Sequence, residues 1–225
     1  MSYIKTSIGK KQIQGVAGLL LCGFLVTHLL GNLLLLAGDE AFNAYVEKLA
    51  SLGVGLYVLE LGLASMFLIH LGLGIWVWLE NRKARPVKYA VNATSGGVES
   101  GAGSTLASRT MVFTGIAIFV FLIVHLWMFK YSGFAEKDYG LYQVVMEELA
   151  KPYWAVGYVA VFVLLGLHLS HAVQSAFQTL GLSHPKYNPL IKGAGQVFAW
   201  AIAAGYALLA VWAYIKDVPG TGMFG

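Results

Sequence analysis

The sequence predicts an all-α integral membrane protein of five transmembrane helices, with its N-terminus in the cytoplasm and a single domain over residues 1–225. Three observations carry this reading. The chain is 58% hydrophobic and only 12% charged, where a soluble domain carries about 25% charged residues. Its apolar residues gather into long segments at 12–37, 53–79, 108–131, 153–181 and 195–215. Each can cross a hydrocarbon core, which takes about 20 helical residues, and a lone strand in lipid cannot satisfy its backbone. The third observation is charge asymmetry. Lys5, Lys10, Lys11, Arg82, Lys83, Arg85, Lys88, Arg109, Lys186 and Lys192 fall on one side of the spans. Most of the acids fall on the other, with Lys48, Lys130, Lys137, Lys151 and Lys216. The positive-inside rule puts the basic side in the cytoplasm.

The first segment is long enough to span and lacks a small-residue cleavage site followed by a soluble domain, so it reads as a helix rather than a signal peptide. It contains Cys22, the only cysteine. A single cysteine excludes an internal disulfide, and this chain alone cannot hold a cysteine-ligated iron–sulfur cluster. Between the second and third segments, NATSGGVESGAGST (Asn92 to Thr105) reads as a flexible inner loop joining two halves. The third segment opens on Arg109 and Thr110, and the fourth closes at Gly181. The net charge of +4 is accounted for by topology and gives no reason to expect nucleic acid.

Five of the six histidines, His28, His70, His125, His168 and His171, lie inside spans. A lone intramembrane histidine often makes an interhelical hydrogen bond, but intramembrane ionisable residues are rare and tend to be functional. Here the set is regular. His28 stands about 17 residues into its span, His70 and His125 about 18, and His168 about 16. Because consecutive spans run in opposite directions, His28 and His125 share an outer layer and His70 and His168 an inner one, separated by roughly 10–15 Å. Two layers, each with two histidines from two helices, suit two bis-histidine haems in a bundle of the first four helices. A bare metal ion would attract more ligands at one depth. No CxxCH motif is present, so the haems are expected to be non-covalent, that is, two haem b. Gly18 and Gly115 each stand ten residues before a histidine, His28 and His125, which suggests that spans one and three are quasi-repeats. These glycines suit either a close porphyrin edge or close helix packing.

QGVAGLLLCGFLVTH (Gln14 to His28), the Gly115-to-His125 spacing, LIHLGLG (Leu68 to Gly74) and GLHLSHAVQSAFQTLGL (Gly166 to Leu182) together resemble one family. The chain looks like the cytochrome b membrane subunit, in its five-helix dihaem form, of succinate dehydrogenase and quinol:fumarate reductase. The resemblance spans nearly the whole chain. It implies axial ligands at His28, His70, His125 and His168, with His168 taken over His171 because the family's ligand stands thirteen residues before the closing glycine. His171 then becomes a neighbour able to bond a propionate or a partner helix. Gln14 matches a position whose amide bonds a haem propionate. Arg109 and Thr110 lie on the same side, where they could pair with propionates or act as a snorkelling arginine and a helix cap. The resemblance further implies menaquinone or menaquinol as substrate, and a flavoprotein and an iron–sulfur subunit as cytoplasmic partners. It implies a dimer of such heterotrimers in a bacterial inner membrane. One departure stands out. Some family members carry a glutamate two residues before the fourth-span ligand, proposed for proton passage, and here that residue is Gly166.

Glu60 is the one acid deep in the second segment, near the depth of the outer pair. Quinol oxidation releases protons, so a base there is chemically apt; a protonated glutamate bonded to a neighbouring helix would look the same in sequence. Two other functions fit the same spans: a dihaem cytochrome b of another respiratory enzyme, such as a hydrogenase or nitrate reductase, and a haem-free anchor or transporter. The chain lacks the paired, broken helices of many transporters.

Overall fold

The computed structural model describes residues 3–84, 106–131 and 140–217. The loop from Asn92 to Thr105, with Arg85, Lys88, Glu136, Lys137 and Asp138, lies outside the described residues. Among the described residues seven α-helices follow in order: α1 (Ser7–Asn32), α2 (Asp39–Ala50), α3 (Val54–Ala84), α4 (Leu106–Phe129), α5 (Leu141–Leu149), α6 (Pro152–Thr179) and α7 (Asn188–Asp217). Among the described residues five helices are long and apolar enough to cross a membrane: α1 with its continuation to Ala37, α3, α4, α6 and α7.

The ends of these helices follow local chemistry. Thr6 caps α1, its hydroxyl accepting from the Gly9 amide at 3.0 Å. A 3₁₀ turn, Leu33–Ala37, carries α1 on to Gly38. Pro152 opens α6, where its missing N–H costs nothing. Gly181, at φ +86°, closes α6, and the next amide, Leu182 N–H, returns to the Phe177 carbonyl at 3.0 Å. Three spans extend past their apolar segments. α1 begins at Ser7 rather than residue 12, α3 runs to Ala84 rather than 79, and α7 begins at Asn188 rather than 195. Glu80 therefore belongs to a span, beside Glu60.

The helices α1, α3, α4 and α6 contact one another in a ring, and α7 packs outside it against α6 and α1. Neighbours in the ring are antiparallel: Lys10 near the start of α1 pairs with Glu80 near the end of α3, and Thr114 near the start of α4 meets His168 in the second half of α6. The α6–α7 contact is the tightest. Tyr158, Phe162, Leu165, Leu169 and Val173 on α6 recur every three or four residues and are buried. On α7 Ala199, Ala203, Ala210 and Ala213 are buried, and a Cβ on Gly166 of α6 would lie 3.0 Å from Ala203, so small residues let the two backbones approach. By contrast, α3 contributes no buried residue.

The two ends of the bundle differ. At the end where α1 begins, Lys10, only 3% exposed, pairs with Glu80 and lies 4.7 Å from the Trp76 ring centroid. Trp76 Nε1 donates to Glu80 at 2.8 Å. This basic end also carries Lys5, Lys11, Arg82, Lys83, Arg109, Lys186 and Lys192. At the opposite, acidic end lie α2 and α5, which the hydropathy pattern left as loops. Asp39 and Glu40 open α2 and Lys48 closes it, in keeping with the helix dipole. Phe42 of α2 is buried, as are Val144, Val145, Met146 and Leu149 of α5. The Asn43 side chain accepts from the Tyr142 amide at 3.0 Å and joins the two short helices.

Candidate functional site

The four-helix ring brings the span histidines together in two pairs. His28 of α1 faces His125 of α4, with ring centroids 5.9 Å apart and planes at 89°. His70 of α3 faces His168 of α6 at 6.3 Å and 70°. These are the two layers expected from residue offsets. His171, three positions beyond His168 and half-buried, does not form the ring contact with His70. Among the described residues, no group of three or more His, Cys, Asp or Glu side chains converges.

The other ring nitrogens define the tautomers. His70 Nδ1 lies 3.0 Å from the Gln14 carbonyl. A carbonyl only accepts, so Nδ1 carries the proton and Nε2 keeps its lone pair. His168 Nδ1 lies 3.1 Å from Thr114 Oγ1. The Thr114 hydroxyl donates to the Thr110 and Met111 carbonyls at 3.1 and 3.0 Å, which leaves its oxygen to accept from His168. His125 Nδ1 lies 3.1 Å from Tyr158 Oη, whose own proton points to Met128 Sδ at 3.9 Å. His28 stacks on Phe24, with centroids 5.2 Å apart, and tilts against Tyr206, whose hydroxyl donates to the Leu25 carbonyl at 2.7 Å.

This donor set fits the axial positions of an iron porphyrin. Such an iron takes one imidazole from each side and draws its other ligands from the macrocycle, so two histidines suffice. With a nitrogen about 2 Å from the metal on each side, facing ring centroids come to roughly 6 Å apart. Metal-bound imidazoles characteristically give their second N–H to a carbonyl or a similar acceptor. Among the described residues, no hydrogen bond joins the two rings of either pair, so mutual hydrogen bonding does not set these distances.

The remaining candidates occupy distinct places. Gln14 acts through its backbone on His70, while its amide packs against Gly74, where an added Cβ would stand 2.9 Å from Nε2. Arg109 is exposed in the first turn of α4 at the basic end, and Thr110 Oγ1 donates to the Ala107 carbonyl at 3.3 Å. Glu60 stands ten residues before His70 on α3, about 15 Å of helix rise toward the acidic end. It forms an ion pair with Lys130 and its side chain is 36% exposed. Lys130 stands five residues past His125, about 7.5 Å of helix rise toward the acidic end. Gly166 serves packing: a Cβ there would lie 2.9 Å from the Trp200 ring and 3.0 Å from Ala203. It faces α7.

Thr114, Tyr158, Met111 and Lys130 were not singled out from the sequence. Thr114 had a signal in its place beside Gly115; Tyr158 and Met111 had none, because tyrosine and methionine are ordinary in such a span. No family model, no curated protein and no solved structure matches the chain. The fold and the site together define a multi-pass α-helical protein with five candidate spans and two stacked histidine pairs in its four-helix ring.

Proposed function

We propose that this chain is the dihaem cytochrome b subunit of a succinate dehydrogenase or quinol:fumarate reductase complex. On this reading it anchors the complex and carries electrons between menaquinone or menaquinol and an iron–sulfur subunit. The observation that carries the proposal is the double pairing: two facing imidazoles in each of two layers, with Nδ1 bonded elsewhere in His70, His168 and His125. The positive-inside rule supports a cytoplasmic basic end, and there the flavoprotein and iron–sulfur partners would dock. The motifs from Gln14 to His28 and from Gly166 to Leu182 support the family, and the bacterial inner membrane follows from it.

His28 and His125 would hold one haem b near the acidic end, and His70 and His168 the other near the basic end. When bound, the two haems supply a one-electron relay across the bilayer. The chain's residues do the rest. The Gln14 carbonyl, Thr114 and Tyr158 hold the imidazoles of His70, His168 and His125 with Nε2 presented. Gln14, Arg109 and Thr110, at the basic end, are placed for propionates there. Glu60, toward the acidic end of α3, accepts a proton from the quinol hydroxyl, with Lys130 holding the carboxylate beside the α3–α4 seam.

The first test is quantitative. Pyridine haemochrome analysis of the purified complex is expected to give two b-type haems per chain, removable with acid acetone. A ratio near one, or haem that resists extraction, overturns the reading. The ring planes, at 89° and 70°, add a spectroscopic expectation. Axial imidazoles set nearly at right angles should give strongly anisotropic low-spin ferric signals in electron paramagnetic resonance. Two ordinary rhombic signals of parallel imidazoles would contradict these orientations.

A further inference from the structure

We infer that Gly18 and Gly115 are positioning residues, each leaving room on its own helix for an imidazole of the basic-end pair, a tight seat for His70 and a looser one for His168. This inference rests on the dihaem reading above and adds which residues fix the ligand rings. Its starting point is a pair of close approaches. A Cβ on Gly18 would stand 2.9 Å from His70 Cε1 and 3.1 Å from its Nδ1. A Cβ on Gly115 would stand 3.4 Å from His168 Cε1 and 3.9 Å from its Nδ1.

Helix geometry explains why a glycine belongs there. In an α-helix the carbonyl of residue i accepts from the amide of residue i+4. Gly18 is four residues past Gln14, and Gly115 is four past Met111. The Gln14 carbonyl is the one that His70 Nδ1 reaches at 3.0 Å, while the Met111 carbonyl takes the hydroxyl of Thr114, whose oxygen meets His168 Nδ1. The Gln14 carbonyl thus has its second lone pair beside the bare Cα of its own helical partner, Gly18. A side chain at i+4 would cover that lone pair, whereas glycine leaves it open to a ring from the neighbouring helix. A glycine stands beside an imidazole once on α1, for His70, and once on α4, for His168. In each helix the acidic-end histidine, His28 or His125, follows the glycine by ten residues, about 15 Å of rise. The seat therefore serves the layer opposite to the histidine it precedes in sequence.

The two seats are not equally tight. At Gly18 a methyl group has no room unless the His70 ring moves. At Gly115 an added methyl would touch the ring at ordinary contact distance, and His168 keeps Thr114 Oγ1 as its partner. Gly23, also on α1, has nothing within 4 Å of its added Cβ and serves as the control.

The test uses the whole purified complex, comparing wild type with Gly18→Ala, Gly115→Ala and Gly23→Ala by redox titration and paramagnetic resonance of each haem. His70→Ala and His28→Ala assign the two signals. Gly18→Ala is expected to shift the signal and midpoint potential of the haem lost in His70→Ala, leaving the one lost in His28→Ala in place. Gly115→Ala should shift the same haem by less, and Gly23→Ala neither. A Gly18→Ala change confined to the His28 haem, or no change at either haem, overturns the seats. Should Gly18→Ala fail to assemble, the milder Gly115→Ala carries the same test, and an unmoved basic-end haem there overturns the inference. Wild type without two haems would instead sink the dihaem reading itself, a result distinct from two intact haems indifferent to Gly18.

Discussion

Replacing His168 by alanine is expected to strip the basic-end haem from the complex, while replacing His171 leaves both haems bound. The two residues stand three positions apart on α6, roughly 60° around the helix, so only one can face α3 squarely. The ring of His168 meets His70 at 6.3 Å, and its Nδ1 is held by Thr114. That hold leaves Nε2 free for a metal. The haem-to-chain ratio in His168→Ala should fall from about two to about one, since an iron with one axial histidine and an apolar space on its other face is poorly retained. Added imidazole should refill the space and restore a low-spin spectrum, which separates ligand loss from a failure to fold. Loss of a haem in His171→Ala with both retained in His168→Ala would reverse the assignment.

The second large effect is expected at Glu60. Glu60→Gln should keep both haems and slow quinol-linked turnover by about 10²–10⁴-fold, the range for losing a general base. Glutamine matches glutamate in size and still hydrogen-bonds, but it cannot take up a proton. The ion pair with Lys130 places the carboxylate at the α3–α4 seam, partly exposed, where a proton taken from quinol could leave toward the acidic end. The readout is the ratio of quinol-linked to dye-linked rates in one preparation, since the dye bypasses the membrane site. Lys130→Met separates catalysis from support: if the pair only braces the helices, both variants lower thermal stability and neither lowers the ratio. An unchanged ratio in Glu60→Gln would remove the residue from the reaction.

Hydropathy reports where a helix crosses hydrocarbon, and it found the five long helices for that reason. It does not report where a helix stops. The α1 start at Ser7, the last turns of α3 with Glu80 and the first turns of α7 with Lys192 are polar helix that extends past the apolar segment. The short α2 and α5 escaped because their apolar residues form one face among charges, too few for a span-length window to register. In the site, equal offsets in antiparallel helices were enough to place His28 with His125 and His70 with His168. The partners of the imidazoles were harder to see. Gln14 was tied to its side chain, but it is the backbone carbonyl that meets His70. Gly18 was tied to His28 by sequence distance, yet ten residues of helix put it at the level of the other pair. That mismatch was readable from the 1.5 Å rise alone.

The short helices at the acidic end also bear on how a substrate arrives. Between them α2 and α5 pack on the ends of α1, α4, α6 and α7. The ring is thinnest between α3 and α4, and there Glu60 meets Lys130. A lipid-soluble molecule dissolved in the bilayer would thus come to the His28–His125 layer sideways, by diffusion in two dimensions, rather than down the bundle axis from water. Its supply would then follow its partition into the membrane and not its aqueous concentration. Lengthening its isoprenoid tail would raise the local amount on offer without adding any contact to the protein.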